Sequence, residues 1–265
     1  MTDTIKSIKN AFNRAKTRPR KIFYYTETDS TNERARCFSK SPECDLEVEL
    51  DGIDAELFIA DAQTAGRGRL GRRFVSNPGA GLYMSLRFEF TGDMCDSVGI
   101  TPQAAVALCQ ALESTCGAMA QIKWVNDVYM NGRKLAGILT ESTVLPSGKR
   151  IFICGIGINL LPSDMPSEVA EIATDLKSCG FSPDRFTLAA TVCEGLLEGI
   201  SDLFNPSRLA EYKDRSFLIG RQVKVIGDGE YTATVSDITD RYELIVELDD
   251  GSKKSLSTGE VSIKL

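Results

Sequence analysis

The chain has 265 residues, of which 42% are hydrophobic and 26% charged; this composition fits one large core with a small satellite domain and excludes disordered and fibrous classes. Its 31 Lys and Arg against 37 Asp and Glu leave a net charge of -6, which disfavours a whole-protein role on nucleic acid or at an anionic membrane. His is absent, and with it go His general-base triads, His-ligated zinc and the protein-kinase catalytic loop.

Residues 1–21 carry Lys6, Lys9, Arg14, Lys16, Arg18, Arg20 and Lys21 against Asp3, with Ile5, Ile8 and Phe12 at helical spacing. The pattern predicts a short amphipathic helix, frayed at the terminus, with a solvated basic face that could touch an acidic partner. The opening residues have no signal-peptide core, and no apolar run approaches the roughly 18 residues of a membrane span. None of the eight cysteines pairs at the two-residue spacing of metal ribbons. Free thiols in a reducing cytoplasm are therefore expected.

Asp29-Ser30-Thr31-Asn32-Glu33 reads as a helix cap, with Ser30 and Glu33 as a capping box. From Glu43 to Asp61 there are eight acidic residues and no basic one, read as an exposed loop leading to a strand. Strands are expected at 57–64, 81–90, 121–130, 134–140 and 151–160, with Asn131-Gly132 as a two-residue hairpin turn. Thr101-Pro102, Ser182-Pro183 and Asn205-Pro206 each read as a cap followed by proline at the first helical position, and Gly117 ends the first of these helices. Phe186, Ala189, Ala190, Cys193, Leu196, Leu197, Ile200 and Leu203 form one stripe, which is core packing. After Leu218 short alternating runs predict a small β-barrel, with a boundary near 217–220.

The most informative stretch is Gly66-Arg67-Gly68-Arg69-Leu70-Gly71-Arg72-Arg73, three glycines and four guanidinium groups in eight residues. The glycines match a dinucleotide fingerprint, but a strand-like LYMSLRFEF follows where that site needs a helix. What remains is a flexible backbone with exposed amides and four fixed positive charges, a lid for a polyanion such as phosphate, or else a solvated basic loop. Mutual repulsion should keep it mobile when empty. In Lys123-Trp124-Val125-Asn126-Asp127, strand alternation would face Lys123 and Val125 one way, Trp124 and Asn126 the other. Gly155-Ile156-Gly157-Ile158-Asn159 is an apolar strand whose glycines let a ligand lie against the backbone. Either segment could equally be a core strand.

In this order the segments TDSTN (28–32), QTAGRGRLGRR (63–73), KWVND (123–127), RKLAGIL (133–139) and GIGINL (155–160) resemble the biotin protein ligases, from about Phe23 to the C-terminus. The resemblance implies an α+β fold, a central mixed sheet flanked by helices as in class II synthetases, with a C-terminal SH3-like barrel. It divides the chain into a basic segment at 1–22, a catalytic domain at 23–217 and a barrel at 218–265. Val125 replaces a family proline, and Phe74 stands where some members have tryptophan. Some members begin with a helix-turn-helix repressor domain; about 22 residues precede the ligase region here, so DNA-binding repression is not expected.

The implied reaction is two-step: biotin and ATP give biotinyl-5'-adenylate and pyrophosphate, then a carrier lysine displaces AMP. Charge neutralisation and alignment by Arg, Lys and Mg²⁺ suit it without histidine. The resemblance assigns catalysis to Lys134, Arg69 and Arg67, and biotin contacts to Ser30, Thr31, Asn32, Gln63, Gly66, Arg67, Gly68, Lys134, Gly137 and Gly157. It assigns the nucleotide to Arg69, Arg72, Phe74, Lys123, Asn126, Asp127, Asn159 and Lys264, and leaves the metal ligands open, with Asp127 as a candidate. The implied partner is the biotin carboxyl carrier domain of a carboxylase; a homodimer is open, since the family has both dimers and monomers. Lipoate and octanoate ligases share the fold but use a His this chain lacks, and a biotin or nucleotide sensor without turnover is the other alternative.

Overall fold

The computed structural model describes residues 2–38, 43–227, 229–257 and 259–263. Strands β1 (Pro19–Tyr25), β2 (Leu46–Glu49), β3 (Ile53–Ala60), β4 (Gly81–Glu89), β5 (Gln121–Lys123), β6 (Asp127–Met130), β7 (Arg133–Val144) and β8 (Arg150–Asn159) form one mixed sheet in the order β2-β1-β3-β4-β8-β7-β6-β5. β1 and β3 run parallel; the other neighbours pair antiparallel. β3 starts and ends four residues before the expected 57–64, because Thr64 belongs to the loop that feeds the basic segment. β2 escapes the sequence pattern altogether. Leu46 and Val48 are buried while Glu47 and Glu49 alternate outward, an edge strand whose charges read as loop.

Side-chain alternation gives the sheet two different faces. Leu82, Met84, Leu86, Ile156 and Ile158 join the core built with α3 (Ile100–Cys116) and α5 (Arg185–Ser201). Phe58, Ala60 and Ile153 instead pack with Ala35 of the short helix α2 (Thr31–Arg36). The N-terminal helix α1 (Thr2–Phe12) is not frayed. Ile8 and Phe12 are fully buried and the helix packs on α5, so residues 1–22 supply a core helix and, from Pro19, most of β1. That places the exposed Lys6 and Lys9 on the helix-covered side of the sheet.

Helix starts differ in two of three cases. A 3-10 turn at Met94–Gly99 runs straight into α3, so Thr101 is inside the helix rather than its cap. Asp184 caps α5 by accepting from the Thr187 N–H, two residues later than Ser182. Asn205 caps α6 (Pro206–Arg215) as expected, accepting from Ser207 and Arg208 N–H. Gly117, at φ +74°, ends α3. One turn of helix, α4 (Ser167–Ala170), lies between β8 and α5.

β9 (Gln222–Gly227), β10 (Gly229–Ile238), β11 (Leu244–Glu247), β12 (Lys253–Leu256) and β13 (Glu260–Ile263) form an antiparallel sheet in the order β12-β11-β10-β9-β13. It is joined to the helices by a buried polar hub. Gln103 Nε2 donates to Tyr242 Oη at 2.9 Å and to the Leu203 carbonyl at 2.8 Å, and its Oε1 accepts from Arg208 Nε. Apolar burial is continuous through this joint, from Tyr212 and Leu218 to Val223 and Val246. All eight cysteines are free, and among the described residues no helix is long and apolar enough to cross a membrane.

Candidate functional site

The site occupies the sheet face that α3 and α5 leave open. Gly137 and Gly157 are directly opposite each other in β7 and β8, and Gly155 follows on the same face of β8. Lacking Cβ atoms, they make a floor of bare backbone. The space above is used closely: a Cβ on Gly155 would come within 2.0 Å of Asn32 Oδ1, and one on Gly157 within 2.6 Å of the Phe74 ring.

Ser30, Thr31 and Asn32 are buried at the start of α2, but the capping box does not form. The Ser30 N–H is taken by Asp29 Oδ1 at 2.6 Å, and the Glu33 carboxylate turns to Arg36 and Arg67, both at 3.4 Å. Gln63 Oε1 accepts from the Thr31 N–H at 2.8 Å and from its hydroxyl at 3.2 Å, while Gln63 Nε2 donates to Ser76 Oγ at 2.8 Å.

The basic segment folds back on itself as a short hairpin. Gly68 N–H donates to the Arg72 carbonyl at 2.8 Å and Phe74 N–H to the Gly66 carbonyl at 2.9 Å, with Leu70 at φ +56° and Gly71 at φ +75° at the tip. The guanidinium groups of Arg67, Arg69 and Arg73 diverge to separate acceptors. Arg67 reaches Glu141 at 3.0 Å, Arg69 donates to Asn126 Oδ1 at 2.7 Å and the Gly259 carbonyl at 3.1 Å, and Arg73 donates to the Thr64 carbonyl at 2.5 Å. Gly66 serves the hairpin itself: a Cβ there would lie 2.4 Å from the Phe74 carbonyl oxygen.

KWVND is a turn, not one continuous strand, so the expected alternation does not apply. β5 ends at Lys123, β6 starts at its partner Asp127, and the Trp124–Val125 peptide between them is cis. Asn126 Nδ2 donates to Asp127 Oδ1 and to the Ile138 carbonyl, both at 3.1 Å. Lys134 Nζ lies 2.7 Å from Asp127 Oδ1, and its side chain passes over Gly137.

Two cavities meet at this point and share Gly68, Arg69, Phe74, Asn126 and Lys134 as walls. The inner one, about 50 Å³, has the glycine floor and ends on Ser30, Thr31, Asn32, Gln63 and Arg67. The outer one, about 220 Å³, adds Arg72, Lys123, Asp127 and Asn159, with Val169 and Ile172 as an apolar wall. Its described lining holds five cationic side chains, Arg69, Arg72, Arg73, Lys123 and Lys134, against the single carboxylate of Asp127. The structure thus gathers the sequence-derived candidates, apart from Gly66 behind the hairpin, around these two cavities; Lys264 lies outside the described residues. Phe74, half-buried, lies edge-on to Tyr83 and over the glycines, so a ligand reaching the floor has to displace it. Burial pushes the Tyr83 hydroxyl up to about 12, so it stays a neutral phenol. The sequence pattern offered no signal for Ser85 beneath the inner cavity, for Glu141 beside it or for the wall from α4.

A family model described as the biotin/lipoate A/B protein ligase family matches residues 52–159, and one described as the biotin protein ligase C terminal domain matches 218–264. The chain is 31% identical over 218 residues to the biotin–[acetyl-CoA-carboxylase] ligase of Mycobacterium tuberculosis, covering 79% of each. It is 34% identical over 212 residues to the bifunctional ligase/repressor BirA of Bacillus subtilis, covering 77% of this chain and 65% of that one. It thus spans about two thirds of the length of the ligase/repressors it matches. The biotin protein ligase of Aquifex aeolicus in complex with biotin and ATP superposes with a TM-score of 0.72 at 27% identity, over 92% of this chain and 98% of that one.

Proposed function

We propose, from the premise that this chain belongs to the biotin protein ligase family, that it activates biotin with ATP as biotinyl-5'-AMP and passes the biotinyl group to a lysine of a carboxylase carrier domain. The observation that carries this reading is the junction at Lys134. There a glycine-floored cavity with a polar end opens into a cationic one, with the ammonium group at the threshold. With Phe74 displaced, the first chamber offers a place for a small bicyclic acid and the second for a polyphosphate, which would bring carboxylate and α-phosphorus together beside a fixed positive charge.

In the first step a biotin carboxylate oxygen bonds to the α-phosphorus and pyrophosphate leaves with its electron pair. In the second, a carrier amine attacks the acyl carbon, AMP leaves and the amine loses a proton. Lys134, freed from Asp127, faces both the carboxylate and the α-phosphate; Arg67 and Arg69 flank the mixed anhydride and exclude water. Ser30, Thr31, Asn32 and Gln63 offer hydrogen bonds to the ureido end, and Gly68, Gly137 and Gly157 line the ring. Arg72, Lys123, Asn126 and Asn159 serve the nucleotide, with Phe74 as an apolar cover.

Mg²⁺ enters with the nucleotide. The described residues contain no cluster of three metal-ligating side chains, and Mg²⁺ is commonly held by one or two carboxylates plus substrate phosphates, a demand that Asp127 alone meets. When bound, the ion neutralises phosphate charge. The free cysteines suit a cytoplasmic setting.

The deciding measurement is biotin-dependent exchange of labelled pyrophosphate into ATP, with lipoate and octanoate in parallel. Exchange with biotin alone is expected. Its absence in protein that still binds biotin would turn the reading to a sensor without turnover.

A further inference from the structure

Glu141 stands on β7, four residues beyond Gly137 and on the same face, opposite Ile153. Its side chain is 17% exposed and gathers three donors, two of which, Asn32 and Arg67, are walls of the inner cavity. Asn32 Nδ2 donates at 2.9 Å, Arg36 Nη2 at 2.6 Å and Arg67 Nη2 at 3.0 Å. Two of these belong to α2 and the third to the basic hairpin, so one carboxylate ties together elements 31 or more residues apart in sequence.

The Asn32 contact continues into a buried polar chain. Ser85, fully buried on β4, donates to Asn32 Oδ1 at 2.6 Å and its Oγ lies 2.7 Å from Thr31 Oγ1. Thr31 bonds to Gln63, Gln63 to Ser76, and Ser76 Oγ donates to the Phe74 carbonyl at 3.2 Å. Phe74 N–H then meets the Gly66 carbonyl. The path leaves the hairpin at Arg67 and returns to it at Phe74, enclosing the end of the cavity.

We propose that Glu141 is a positioning residue for the acid-binding chamber, fixing Arg67 and Asn32 in one arrangement so that the hairpin root and the polar end wall are set together. The assignment rests on reading the inner cavity as the biotin site. Glu33 lies 3.4 Å from the same two arginines, but Glu141 is the less exposed of the two carboxylates and the one that also holds Asn32, and its charge shortens and strengthens the bonds to both guanidinium groups. An interaction that sets one chamber should act on the ligand of that chamber and leave the other alone.

The test is pyrophosphate exchange by the full chain, with biotin and ATP varied separately, for wild type, Glu141→Gln and Glu141→Asp. Glu141→Gln is expected to raise the KM for biotin about tenfold or more, the order of loss that follows slight misplacement of contact groups, with the KM for ATP within about twofold. Glu141→Asp keeps the charge on a shorter arm and should recover part of the loss at an unchanged Tm. A biotin KM unmoved in both variants, or losses in both KM values that track Tm, would reduce Glu141 to a structural ion pair. If Glu141→Gln does not fold, the Asp variant decides on the same criterion. Wild-type protein without biotin-dependent exchange would remove the reading of the chamber itself, whatever the variants do.

Discussion

The indole N–H of Trp124 donates to the main-chain carbonyl of Tyr242 at 2.8 Å, joining the turn that carries Asn126 and Asp127 to the C-terminal sheet. Tyr242 also stacks edge-on with Tyr212, whose hydroxyl donates to the Val125 carbonyl at 3.4 Å. Trp124 is the sole tryptophan, 4% exposed, so its emission reports this joint without labelling. Tyr242→Ala should cost about 3–5 kcal/mol, as for other large-to-small changes in a core, and shift the emission to the red as water reaches the indole. An unshifted spectrum with unchanged Tm would mean that the joint does not depend on this ring.

Lys134→Ala removes the ammonium at the junction of the two cavities and leaves the Asp127 carboxylate facing the phosphate site. Pyrophosphate exchange should fall by about 10²–10³-fold or more, the usual loss when a charge-stabilising donor is deleted. Because Lys134 is partly exposed, its circular dichroism and Tm should stay near wild type. Near-normal exchange would sink the role given to this lysine.

Adding a methyl group to the floor separates packing from ligand contact. In Gly155→Ala the new Cβ meets Asn32 Oδ1, a buried group held on both sides, and a loss of about 1–3 kcal/mol in stability is expected. In Gly157→Ala the neighbour is the Phe74 ring on the hairpin, so stability should suffer less than biotin affinity. Titration calorimetry with biotin alone and thermal melts distinguish the two; the opposite ranking would contradict the geometry.

Alkali should destabilise the fold before it touches the chemistry. Burial pushes the thiols of Cys109 and Cys154 up to about 12 from near 9, and lifts the hydroxyls of Tyr25 and Tyr212 well above the usual phenol range. Above about pH 9 the unfolded chain releases protons that the native state retains. The stabilisation is therefore complete below that pH and drains away as pH climbs towards 12. Melts at constant ionic strength should show Tm falling from about pH 9 upward; a flat profile to pH 11 would mean that these groups are more hydrated than their surroundings indicate.

The fold was legible where apolar periodicity carries the structure: α5, β4, β7, β8 and the C-terminal sheet follow from spacing alone. It was illegible where tertiary contacts overrule local preference. β2 hides because its four alternating residues sit inside a longer acidic run that reads as loop, and α1 looks frayed because nothing in its sequence announces the pocket that takes Ile8 and Phe12. The capping box fails for a similar reason: Asp29, one residue away, captures the amide that Glu33 would have bound. In the site, glycines and arginines were visible as residue types, but their partners were not. That Arg69 finds Asn126 and Arg67 finds Glu141 depends on sheet order, which brings β7 beside β8 and β6, and no single segment encodes that.

The floor shared by Gly137, Gly155 and Gly157 sets a direction for any redesign of acid selectivity. A floor of bare backbone has already shed every atom a side chain could give up, so mutation can raise it but never lower it. Acceptance of a bulkier acid has to come from the ceiling at Phe74 or from the polar end on α2, whereas rejection of one can be reached in a single step from below.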